Sequence, residues 1–115
     1  MLRVDQVDGI SLVRVYDDVD IANASHLEAS IKLLHDEAVV VIDLERCPYF
    51  DSSGLSVLYR LSRNQHIIIF MPYACRIRRI FEIADLKSVF PLFETEADAV
   101  FAAHVLVKER KAVAS

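Results

Sequence analysis

The chain has 115 residues, the length of one domain. Thirteen Lys and Arg against seventeen Asp and Glu give a formal charge of −4, which argues against a nucleic-acid binder driven by phosphate contacts. Hydrophobic residues make up 54%, enough for one core and too many for a disordered chain, yet the longest apolar runs, such as Ala38 to Ile42 and Ile67 to Met71, span five residues where a membrane helix needs ~20.

Taken in chain order, Leu2, Val4 and Val7 predict a short first strand. Asp8-Gly9 is a turn signal, followed by Ile10, Leu12 and Val13 to Tyr16 as a second strand. Asn23 is placed to cap a helix whose Leu27, Ile31 and Leu34 recur at spacings of four and three. Ala38 to Leu44 is a compact β-branched run, the pattern of a strand buried on both faces. A helix is predicted over Asp51 to Arg63, with Leu55, Leu58 and Leu61 on one stripe. His66 to Met71 reads as another buried strand, ended by Pro72. Arg76 to Ala84 reads as a short helix with Ile77, Ile80, Phe81 and Ala84 inward. Val89 to Phe93 is a last strand that Pro91 assigns to the sheet edge or a strand end. Thr95-Glu96-Ala97-Asp98 has the form of a capping box opening a final helix through about Lys111.

This alternation predicts an α/β fold: a mixed, mostly parallel sheet of four to five strands packed with four α-helices on right-handed crossovers. No linker composition or fixed-period repeat divides the chain, so residues 1–115 are expected to form a single domain, with a core over about 2–107 and a C-terminal tail over about 108–115. No basic segment followed by an apolar one opens the chain, and Cys47 and Cys75 make a poor disulfide framework; both features point to the cytoplasm.

The most informative stretch is Val39 to Leu55, VVVIDLERCPYFDSSGL. A buried strand ends near Leu44, a loop follows, and Asp51-Ser52-Ser53-Gly54 meets the start of a helix. Helix N-termini carry unpaired N–H groups and partial positive charge, so a hydroxyl there is suited to accept a phosphoryl group. Gly54 would ease close approach of a partner beside that hydroxyl. Asp and Ser are also ordinary N-cap residues, and spacing alone does not separate capping from chemistry, nor Ser52 from Ser53.

These residues resemble a STAS domain, specifically the small stand-alone anti-sigma factor antagonists, over about Asp8 to His104. The central family signature is an apolar strand, an aromatic or apolar residue and then Asp-Ser-Ser-Gly-Leu, here Val39–Leu44, Phe50 and Asp51–Leu55. An earlier acidic–aliphatic–Asp element is matched by Asp18-Val19-Asp20, and a later one by Pro72, Arg76, Arg79 and Phe81. The resemblance implies a STAS-like sheet and a protein switched by phosphorylation. Ser53 would be the acceptor, and Asp20, Asp51, Ser52, Ser53 and Gly54 would form the partner-binding edge. The implied partners are an anti-sigma factor of the histidine-kinase-like ATPase type, which uses its own ATP and Mg²⁺, and a Ser/Thr phosphatase. The antagonist itself would be no enzyme, hold no cofactor or metal, contact no nucleic acid and insert into no membrane.

The chain departs from the family where Asp17 and Asp85 stand at positions that are usually Gly, and where Asn64-Gln65 forms an unusually short link. Asp tolerates the left-handed region better than most residues, so both turns are expected to survive. His26, His35, His66 and His104 lie on separate elements without metal-ligand spacing. Ser53 lacks the G-x-S-x-G glycines of a hydrolase elbow, and no P-loop is present. Arg76, Arg78 and Arg79 read as a solvated helix face, and the two cysteines as small buried hydrophobes. Two further readings fit the same residues. One is a non-switching STAS scaffold in a stressosome-type or lipid-transport ABC assembly; the other is a nucleotide-binding module at the anion-friendly helix start.

Overall fold

The computed structural model describes residues 2–83 and 89–114. Ala84 and Asp85, to which the sequence assigns a helix end and a turn, lie outside the described residues. Strands Leu2–Val7 (β1) and Ile10–Val15 (β2) form an antiparallel hairpin closed by the Val7–Ile10 pair. Asp8 and Gly9 both take positive φ, at 51° and 81°, as the primed turn of a two-residue hairpin requires. After β2 the chain alternates: Ala24–Lys32 (α1), Val39–Asp43 (β3), Ser52–Leu61 (α2), His66–Phe70 (β4), Arg78–Ile83 (α3), Leu92–Phe93 (β5) and Glu96–Ala114 (α4). The sheet order is β1-β2-β3-β4-β5, with every pair after the first parallel. The expected mixed, mostly parallel sheet with four helices is therefore realised.

β3 lies at the centre and is buried at all five positions, as its unbroken Val-Val-Val-Ile run requires. Alternate side chains divide between two cores. Val13, Val15, Val40, Ile42, Ile67 and Ile69 face Leu27 and Ile31 of α1, Val57, Leu58 and Leu61 of α2 and Phe81 of α3. Ile10, Leu12, Val39, Val41, Ile68 and Phe70 face Ala99, Val100 and Ala103 of α4. Each fully buried branched side chain contributes roughly 1.5–3 kcal/mol, so the central strands dominate the stability.

Two local features depart from the sequence reading, and a third explains a link that it noted. α4 continues to Ala114, beyond the end expected at about Lys111, because Lys108 to Ala114 contains no Gly or Pro to stop it. Arg78 is not on a solvated face: it is buried, donates to the Met71 carbonyl at 2.8 Å and to Glu82 at 3.3 Å, and lies 4.2 Å from the Tyr73 ring centroid. The short Asn64-Gln65 link is stabilised by Gln65, whose buried amide donates to the carbonyls of Leu34 and Glu37 at 2.8 and 2.9 Å.

An ion cluster absent from the sequence reading locks the strand ends. The Arg14 guanidinium donates to Asp5 at 2.6 Å, Asp43 at 2.8 Å and Glu96 at 2.6 Å, joining β1, β2, β3 and the start of α4. The Glu96 carboxylate above all raises the Arg14 pKa above its ordinary value. Removing Arg14 would take from the buried Asp43 the guanidinium that pairs with it, at a cost on the order of 2–3 kcal/mol. Among the described residues, no helix is long and apolar enough to cross a membrane.

Candidate functional site

The site is built where β3 ends. Leu44 donates its N–H to the Phe70 carbonyl, and Cys47 donates its own to Leu44, turning the chain back over the sheet edge. The buried Cys47 thiol lies 3.1 Å from the Tyr49 carbonyl and 3.5 Å from that of Asp17, and burial pushes its pKa up to about 11. Two backbone bonds then join distant segments. Val19 N–H donates to the Tyr49 carbonyl at 2.8 Å, and Asp51 N–H donates to the Val19 carbonyl at 3.2 Å. They form an isolated parallel bridge between Val19 and Phe50. This bridge sets Asp18-Val19-Asp20 alongside Phe50-Asp51, uniting two motifs that the sequence keeps apart.

Asp51 caps α2. Its Oδ1 accepts the Ser53 N–H at 2.8 Å, and its carbonyl accepts those of Gly54 and Leu55 at 3.0 and 3.2 Å. One N–H of this helix start, that of Ser53, is thus already taken by the protein's own carboxylate. Tyr49 lies over the cap with its hydroxyl 3.5 Å from Asp51 Oδ2. Ser52 is exposed, and its carbonyl accepts the Ser56 hydroxyl at 3.0 Å. Ser53 is half-buried, and its hydroxyl makes no hydrogen bond to another described residue.

Gly54 corrects the sequence reading. It is buried, and a Cβ added to it would stand 2.6 Å from Phe50 Cζ. Its missing side chain therefore makes room for the Phe50 ring beneath the helix. Phe50 in turn packs against Phe81 of α3, with ring centroids 5.4 Å apart.

Asn23 occupies the N-cap position of α1, but its side chain does not cap that helix. It turns back to accept the Asp20 N–H at 2.9 Å, while Asp20 Oδ1 accepts the N–H groups of Ala22 and Asn23 at 3.0 and 3.2 Å. This reciprocal box holds Asp20 rigidly beside Val19. Asp17 does not adopt a left-handed backbone, so this turn has no need of the family's Gly. Two residues escaped the sequence reading: Ile21 is 90% exposed and Tyr49 is 49% exposed, flanking the carboxylates of Asp20 and Asp51 along the chain. The available signal was an Ile that falls outside the Leu27–Ile31 stripe and has no core to enter.

The cleft beside Asp17, Asp18 and Val19 measures about 140 Å³, smaller than the ~300 Å³ at which ligand pockets begin. Among the described residues, no three His, Cys, Asp or Glu side chains gather to hold a metal ion. What the edge offers is a capped helix start, carboxylates on two bridged loops, two exposed apolar side chains and a hydroxyl without a hydrogen bond to the other described residues.

Sheet order, crossovers and this bridged edge define a STAS domain, and the chain belongs to the STAS domain family, whose model matches residues 1–99. It is 31% identical over 107 residues to BtrV of Bordetella bronchiseptica, a protein named for a proposed anti-sigma factor antagonist role; the match covers 88% of this chain and 92% of that one. An anti-sigma factor antagonist from Mycobacterium paratuberculosis is 26% identical, with a TM-score of 0.79 over 90% of this chain and 93% of that one. The anti-sigma factor antagonist SpoIIAA, in its unphosphorylated form, has the same fold at 18% identity, with a TM-score of 0.71 over 90% and 96% of the two chains.

Proposed function

We propose that this chain is an anti-sigma factor antagonist whose docking edge is switched by phosphorylation of Ser53. The reading rests above all on the Val19–Phe50 bridge, which sets the loop carrying Asp20 against the loop carrying Asp51, whose carboxylate caps the helix at Ser53. The names carried by its relatives support the same role. In the unmodified state the edge formed by Asp20, Ile21, Tyr49, Asp51 and Ser52 docks on an anti-sigma factor with a histidine-kinase-like ATPase fold and excludes the sigma factor.

That partner binds ATP and Mg²⁺ and transfers the γ-phosphoryl group to Ser53 Oγ. The new O–P bond replaces the bond to ADP, and the hydroxyl proton leaves with a base on the partner. This chain contributes the acceptor and the docking surface, while catalysis belongs to the kinase. The phosphoserine adds about −1.5 to −2 charge at neutral pH. It stands beside the Asp51 carboxylate, which already occupies the Ser53 N–H, so the helix start cannot neutralise it through that donor. Repulsion and added bulk then oppose docking while the core beneath is untouched. A Ser/Thr phosphatase resets the cycle in the cytoplasm, with no nucleic acid or membrane contacted directly.

Incubation with the purified anti-sigma factor and Mg-ATP, followed by peptide mass spectrometry, tests the assignment. One phosphate on Ser53 and none in Ser53→Ala is expected. Modification of Ser52, or equal modification of Ser53→Ala, would contradict it.

A further inference from the structure

We infer that α4 carries a self-association surface, through which two copies of this chain pair antiparallel about a two-fold axis. α4 buries Ala99, Val100 and Ala103 against the sheet, with Leu106 and Val107 packed beside them. A helix covering one sheet face should be polar on its other side. Here two apolar residues interrupt that polar side: Phe101 is 70% exposed and Val105 is 38% exposed. Scattered apolar residues on a surface are ordinary, but these two are one turn apart and belong to a regular seam. Asp98, Phe101, Val105 and Lys108 follow one another at spacings of three, four and three, the period at which two helices interlock. Ala97 and Ala102 flank the seam and are small enough for helix axes to approach within about 8–10 Å.

The charges on the seam choose the occupant. Asp98 lies in the first turn and Lys108 lies ~15 Å along the helix, at 1.5 Å per residue. Neither joins an ion pair with another described residue. A parallel partner helix of the same sequence would set Asp98 against Asp98 and Lys108 against Lys108. An antiparallel one, rotated about an axis level with residue 103, sets Phe101 against Val105 of the second copy and Asp98 against its Lys108. The surface is self-complementary only in that sense, and a two-fold contact of this kind closes at two copies. α4 covers the sheet face opposite α1, α2 and α3, so the pairing leaves the Ser53 edge of each copy free. This inference stands apart from the proposed function and can fail without it.

The seam is only about three turns long, less than the ~1,200 Å² of a standard interface, so the expected dimer is weak and concentration-dependent. Sedimentation equilibrium of the full chain from about 5 μM to about 1 mM should give a monomer–dimer equilibrium, with Phe101→Glu raising its dissociation constant at least about tenfold. Asp98→Lys and Lys108→Asp should each weaken the dimer, and the two together should restore it to within about threefold of the unmodified chain. Circular dichroism verifies that each variant is folded. A chain monomeric throughout, a dimer indifferent to Phe101→Glu, or a double variant no better than its parents would overturn the inference. So would a monomer in which Phe101→Glu instead abolishes anti-sigma factor binding, since the face would then belong to that partner.

Discussion

The backbone N–H of Asp51 donates to the carbonyl of Val19 across 3.2 Å. Together with the reciprocal bond from Val19 to Tyr49, it fixes the position of one acidic loop against the helix cap of another. Because main-chain atoms make this connection, side-chain changes on either loop can alter docking chemistry without dismantling the edge. Stability and recognition are therefore separable here.

Asp51 tests that separation. Asp51→Ala removes the acceptor for Ser53 N–H and should cost ~1 kcal/mol in urea unfolding. Asp51→Asn keeps an acceptor and should stay within ~0.5 kcal/mol of the unmodified chain. Both variants should weaken anti-sigma factor binding by about tenfold in calorimetric titration. Equal stability loss in the two would show that the cap acts through charge alone.

Gly54 and Phe50 form a second coupled pair. Replacing a helical Gly by Ala ordinarily stabilises by up to ~1 kcal/mol. Here the added methyl group would meet the buried Phe50 ring at 2.6–2.9 Å, and such overpacking costs ~1–3 kcal/mol. Gly54→Ala is expected to be net destabilising in urea unfolding, and less so in a Phe50→Leu background, giving a favourable coupling in the double-mutant cycle. A stabilised Gly54→Ala would refute the packing role.

Much of this architecture was legible beforehand because hydrophobic period and turn chemistry are local. Val39 to Ile42 has the pattern of a strand buried on both faces and is the central strand, and the Asp8-Gly9 turn signal closes the first hairpin. The site was legible in its parts: Asp51 as a cap, and Asp18-Val19-Asp20 as an acidic turn. What could not be read were relations between distant residues. The inward direction of Gly54 depends on where Phe50 points, the Arg14 cluster draws carboxylates from three elements, and burial of Arg78 depends on the fold of the Met71–Tyr73 segment. Asn23 misled because a good capping residue can serve the turn before its helix as well as the helix itself.

Ile21 should be an anchor for the partner. At 90% exposure it contributes almost nothing to the core, so Ile21→Ser is expected to leave the melting temperature within about 2 °C. The same change should weaken anti-sigma factor binding about tenfold or more, as loss of a central apolar contact does. Unchanged affinity would remove Ile21 from the interface.

Cys47 predicts an alkaline limit to stability. Below pH 9 the thiol keeps its proton in both folded and unfolded chains. Above that, the unfolded chain ionises while the native thiol, raised to about 11, does not, so unfolding is favoured as pH rises through this window. The loss should reach on the order of 2 kcal/mol by pH 11 and be absent from the pH profile of Cys47→Ala. Denaturation curves at pH 8, 9.5 and 10.5 would measure it, and parallel profiles for the two proteins would contradict it.

The switch itself is tested most directly by titrating one purified anti-sigma factor with this protein in unmodified and Ser53-phosphorylated forms, with thermal unfolding of both recorded alongside. The account predicts at least about a hundredfold weaker binding of the phosphorylated form, with melting temperatures within about 3 °C of each other. Equal affinity of the two forms, or a phosphoprotein that loses binding only because it has unfolded, would contradict it.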